Sequence, residues 1–287
     1  MAADLTDAPG QATKVRPGDV WQRLRARSAD ARRRLPWLWF GGWAALLLSL
    51  PLAVMGWTDE RMFQGVSVWS KPWKFHVSIA IHLLTLAFLA TYLRDTPQRA
   101  RGFRRLSAVA LGCAAFELAY ITWRASRGEP SHFSTDTLFG GVMYALMGVG
   151  AVALTCCAGV LGLWLWRAAD FAHGPVMQRG LSVGLMLGCV LGTLTGAYVS
   201  AQTGHAVGGL PGDGAALPVL HWSLVFGDLR VSHFVGLHAM QTIPLVAWLV
   251  AHLRSPSAAL HAVHAFAACQ VALTVFTFAQ ALRGQPI

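Results

Sequence analysis

The chain has 287 residues, 55% of them hydrophobic and 13% charged, with a mean hydropathy of +0.48. Soluble domains carry roughly 25% charged residues, so this composition excludes an ordinary soluble domain and places the chain in the membrane class. The net charge of +10 does not argue for nucleic acid, because the arginines crowd into the first 34 residues and one short loop, where bilayer topology accounts for them.

Residues 1 to 17 are polar and expected to be disordered. From Asp19 to Arg34, apolar Val20, Trp21, Leu24 and Ala31 recur at roughly helical spacing among six arginines. That pattern fits a helix lying on an anionic leaflet, or more simply a basic cluster that fixes orientation. Residues 1–35 are therefore expected to form a basic cytoplasmic tail. Residues 36–287 are expected to form the membrane domain. Its first apolar run, Trp37 to Trp57, is too long for a signal-peptide core and lacks a clear cleavage site.

A spanning helix needs about 20 predominantly apolar residues. Six further segments qualify, approximately Trp73 to Leu93, Leu106 to Trp123, Leu138 to Trp166, Gly180 to Ala201, Val231 to Leu253 and Ala258 to Leu282. The expected fold is an all-α, polytopic, seven-helix membrane protein. The tail and the loops on its side carry sixteen Lys and Arg against seven on the other. This predicts a cytoplasmic amino terminus, an external carboxyl terminus and, for localisation, a bacterial inner membrane. Tryptophans 37, 39, 164, 166 and 248 fall at the predicted inner boundary and 57, 69, 73, 123 and 222 near the outer one, as an interfacial belt should.

On this topology the inner loops are short and basic, and the outer ones longer and mixed. The outer loop 202–230 contains His205, His221, Asp213, Asp228 and Arg230. Loops longer than about 12–15 residues tend to carry function, which directs the search outward. Gly180, Gly184, Gly188, Gly192 and Gly196 recur at every fourth position. Such a stripe lets a neighbouring helix approach closely, the favoured reading, or admits a flat ligand. The five cysteines lie in apolar stretches without a C-x-x-C pair and read as small hydrophobes.

Ionisable groups inside a span are costly and mark function by default. Counting inward from the outer boundary, His76 and His233 lie at roughly 5 Å, Glu117 at roughly 9 Å with Tyr120 a turn above, and His82 and His238 at roughly 12–13 Å. Gln241 shares the polar face of His233 and His238, and Pro244 predicts a kink. Each residue also has a plainer role. A lone histidine can bond a carbonyl, Asp228 can cap a helix, Lys71, Lys74 and Arg124 can anchor at the interface, and His132 can be ordinary loop.

Three function classes can use such an outward-facing pocket. In the leading one, a redox protein binds haem b through His82 and His238, with Arg124, Arg230, Lys71 and Lys74 near the propionates. The second places a transition metal ion on His76, His82, Glu117, His233 and His238, with Glu117 as the catalytic group, for hydrolysis or oxidation of a lipid-soluble substrate. The third is a transporter or sensor in which His and Glu relay protons or bind a solute. The expected partners are the bilayer and a lipid-soluble small molecule or redox partner, without nucleic acid. The chain contains no Walker A, G-x-S-x-G or H-E-x-x-H signature.

Overall fold

A computed structural model describes residues 17–169, 171–210, 212, 214–251 and 255–287, with no side-chain description before residue 21. The polar stretch 1–16, Asp213 and His252 lie outside the described residues. The described chain is helical apart from loops and four two-residue strands. Helices α2 (Pro36–Thr58), α3 (Ser70–Ala90), α4 (Pro97–Ser126), α5 (Leu138–Trp166), α6 (Gly174–Ser200) and α9 (Pro256–Leu282) are long and apolar enough to cross a membrane. Helices α7 (Leu229–Leu237) and α8 (Ala239–Ala251) pass the same test only together, as a pair bent by 43° that is called here the broken span, which makes six spans or up to seven. This is a helical membrane protein.

The sequence determines the helix ends locally. Thr96 and Thr137 cap α4 and α5 by accepting the N–H groups of Arg99 and Gly140, and proline stands in the first turn of α2, α4, α6 and α9, where its missing N–H costs nothing. Between α2 and α3 the chain turns through a hairpin, β1 (Met62–Phe63) against β2 (Val66–Ser67), with Gln64 and Gly65 both at positive φ. The 201–228 loop is tied at its base by β3 (Ala206–Val207) pairing with β4 (Gly227–Asp228). These two features share one end of the bundle, called here the loop end. The opposite end carries α1 (Pro17–Arg34) and the arginine-rich connection 94–105.

The glycine stripe of α6 receives the broken span. A Cβ on Gly184 would lie 2.9 Å from the Ala239 carbonyl, one on Gly188 2.9 Å from the Leu237 carbonyl, and one on Gly196 2.9 Å from Cε1 of His233. Helix-to-helix packing is thus the reason for the stripe. The break falls at His238, more than a turn before Pro244, and Gln270 of α9 repairs it. Its Nε2 donates to the Val235 carbonyl at 2.7 Å, and its Oε1 accepts from Thr242 at 3.2 Å.

Three local expectations change. Helix α1 is not merely a basic tail: the Arg27 guanidinium lies 3.6 Å from the Tyr92 ring centroid, donates to Thr91 and contacts His173 Nε2, while Ala31 is fully buried. Trp69, expected among the boundary tryptophans, is covered by protein rather than exposed there, and its Nε1 donates to Asp59 at 2.7 Å. Among the cysteines, all free, only Cys157 is buried.

Candidate functional site

Helix α3 carries Lys71, Lys74, Ser78, His82 and Thr85. At 100° per residue these fall within a stripe about 80° wide. The contacts show where the stripe faces. Lys74 Nζ reaches the Leu220 carbonyl at 3.4 Å, Ser78 and His82 line a cavity with Leu237, His238 and Gln241, and Thr85 accepts from Gln241 at 3.5 Å. One polar face of α3 therefore looks toward the broken span and the loop above it.

At the loop end, charge gathers around the first turn of that face. Lys71 interacts electrostatically with Glu117 of α4, which is buried, and with Lys74 and Arg230. Its ammonium lies 5.9 Å from the Phe75 ring, which meets His132 edge-on. His132 is squeezed between Phe75 and Tyr144, and burial, followed by the Lys71 charge, pushes it well below the usual histidine range. His205 is lowered to about 4 by burial and then by Arg230, with Lys71 and Lys74 adding to the repulsion. Both imidazoles are neutral at pH 7.

Asp228 caps α7 by accepting from the Arg230 N–H. It also grips the Arg230 guanidinium through two contacts, at 2.9 and 2.6 Å, and accepts from Ser223 N–H. Above them Val219 and His221 both have positive φ, a costly conformation for such side chains. The strained turn directs two successive carbonyls at cations, Leu220 O to Lys74 and His221 O to Arg230.

The expected ligands do not come together as one set. His76 bonds the Pro72 carbonyl of its own helix, and His233 bonds Thr195 of α6 and packs on Gly196. His82 and His238 do share a cavity, of about 30 Å³, room for about one water. His82 Nε2 is already 3.2 Å from the Leu154 carbonyl, and His238 Nδ1 is 2.8 Å from that of Phe234, on whose ring it stacks. The buried Oε1 of Gln241 has no hydrogen-bond partner among the described residues, so a water there would have a polar host. Small-molecule pockets run to about 300–1,000 Å³, and a porphyrin does not fit between His82 and His238 as they stand.

Arg124 does not point to a propionate either. It pairs with Glu129 at 3.0 Å and bonds the Pro130 carbonyl and Ser134, holding the 127–134 loop. Among the described residues no three His, Cys, Asp or Glu side chains are placed to hold a metal ion. The site instead centres on Lys71, Lys74 and His132, each of which also had a plainer role in the sequence, and on His205 of the long loop. The polar i, i+3, i+7 spacing on α3 was the signal for the lysines. Comparison with protein-family models, curated proteins and solved structures finds no match.

Proposed function

We propose that the protein binds a solute with an anionic group at the loop end, as a transporter or sensor. The observation that carries this reading is the placement of Lys74 and Arg230 on two successive loop carbonyls, Leu220 and His221, within electrostatic reach of Lys71; among the described residues the carboxylates that face them are Glu117 and Asp228, the second of which is already spent on Arg230. Such a concentration of positive charge at the mouth of an apolar bundle is costly without a counter-charge. The carbonyls of Leu220 and His221 hold positions that an anionic group would take, on a turn whose backbone favours release. Glu117, the neutral histidines and the cavity beneath are the groups available for proton movement.

The basic end is assigned to the cytoplasm on the distribution of Lys and Arg, which sets the site on the outer face of a bacterial inner membrane. The haem b and transition-metal readings rest only on the cavity shared by His82 and His238. An absorption spectrum with metal analysis of the purified protein checks them.

The test is thermal unfolding in detergent with inorganic phosphate, acetate and chloride at matched ionic strength. Binding raises the midpoint of the wild type by an amount that grows with the logarithm of ligand concentration above Kd. Lys74→Gln removes the rise for the preferred anion. Equal midpoints for all three anions in both proteins would defeat the reading.

A further inference from the structure

The opposite end of the molecule carries a second site. Helix α1 stops at Arg34 and α2 starts at Pro36, so the single buried residue Leu35 makes the corner. On its open side the corner forms a groove of about 720 Å³, lined by Ala26, Ala29, Asp30, Arg32, Arg33 and Phe40. Alanines at 26 and 29 keep the α1 wall low. The rim is cationic: Arg32 and Arg33 are exposed, and Asp30 is matched by Arg33 at 2.8 Å and Arg34 at 3.1 Å.

Below the groove, Phe40, Trp43, Leu47, Leu50 and Val54 are all exposed along α2. Their spacing of three, four, three and four residues makes one stripe. It runs about 21 Å, longer than the roughly 15 Å of one hydrocarbon leaflet. Exposed Trp37 stands at the boundary between rim and stripe, a depth tryptophan favours. Helix α1 is fixed over the groove by the contacts of Arg27 with Tyr92 and Thr91, so its arginines are presented in a set position.

We infer that this corner binds the headgroup of an anionic glycerophospholipid, with one acyl chain lying along the exposed stripe of α2. The two rim guanidiniums meet the phosphate as donors, and the apolar track below excludes a soluble phosphate as the natural occupant. The inference is independent of the reading of the loop end.

The experiment reconstitutes the full chain in nanodiscs of equal parts phosphatidylcholine and phosphatidylglycerol, re-extracts it in mild detergent and counts retained lipid by native mass spectrometry. Wild type retains phosphatidylglycerol over phosphatidylcholine. Arg32→Gln with Arg33→Gln lowers that preference about tenfold or more. Ala29→Leu, which fills the groove without changing charge, lowers it as well, whereas Arg127→Gln at the loop end leaves it unchanged. Circular dichroism shows that each variant is folded. No preference in the wild type, its survival in Ala29→Leu, or an equal loss in Arg127→Gln overturns the site in favour of diffuse charge attraction.

Discussion

His233 sits in the space that the absence of a side chain on Gly196 leaves open: a Cβ there would lie 2.9 Å from Cε1 of the imidazole. The ring can give a little, at the cost of its 3.1 Å contact with Thr195. At Gly188 the neighbours are the Leu237 carbonyl and the Met240 N–H, which are backbone and cannot move aside. Gly112 has nothing within 4 Å of its would-be Cβ. Alanine should therefore cost most at 188, about 1–3 kcal/mol, less at 196, and nothing at 112. Unfolding midpoints in detergent give the order, and equal losses at all three sites would show that the stripe is not a packing surface.

The half-buried Lys71 and the buried Glu117 attract each other between α3 and α4. Removing one removes that attraction, a coupling on the order of 1 kcal/mol. Lys71→Met and Glu117→Gln should each destabilise the protein, and the double variant should recover much of the loss without recovering anion-dependent stabilisation. A double-mutant cycle measures the coupling; strictly additive losses would mean that the two charges do not depend on each other.

The loop end should be acid-sensitive. His205 has a folded pKa of about 4, below its unfolded value near 6.5, through burial and the Arg230 charge. Between those values the unfolded loop binds more protons, so its stability is full above about pH 6.5 and is lost as pH falls toward 4. His132, lowered by burial and Lys71, adds in the same direction. The protection of residues 202–228 against hydrogen exchange, relative to the intrinsic rate at each pH, should fall as pH is lowered across that window, and His205→Gln should flatten the slope. An exchange rate in the wild type that follows only the intrinsic chemistry from pH 7 to 4 would contradict the placement of His205.

Gln270 holds the broken span. With Gln270→Leu, the Val235 carbonyl loses its donor in a setting without water, a loss of about 1–3 kcal/mol. Gln270→Glu keeps the shape and the acceptor but has a donor only when protonated, so it should be nearly as damaging at high pH and less so as pH falls. If Gln270→Leu unfolds at the wild-type midpoint, the break is satisfied by other means.

Much of the fold was legible in the sequence because membrane spans announce themselves by length and hydropathy, and glycines at every fourth residue by a pattern that lipid contact alone does not require. Pro244 signalled an irregular helix, although the break lies at His238, where Gln270, thirty-two residues further on, makes it tolerable. Depth counting gave heights for His76, His82, His233 and His238 along their helices. It gave no rotation of one helix against another, so it could not tell that His76 bonds its own helix and that His233 turns toward α6. The lysines and loop histidines were undervalued for a related reason. A cation near a span end reads as an anchor, and only the folded loop, with its carbonyls over Lys74 and Arg230, reveals that these groups lie inside.

The polar face of α3 has a consequence for how the chain is made. Lys74 meets its carbonyl 146 positions later in the sequence, and Thr85 meets Gln241 156 positions later. At about 5–20 residues per second, roughly seven to thirty seconds of synthesis separate the emergence of that face from the arrival of its partner. During that interval Glu117 of α4 and the Leu154 carbonyl of α5 arrive for Lys71 and His82, but the partners of Lys74 and Thr85 are still missing, and lipid cannot replace them. Helix α3 therefore has to wait for α7 and α8 in a temporary shelter, beside the insertion machinery or with its lysines drawn to the interface, and the final bundle closes late, from its last third backward.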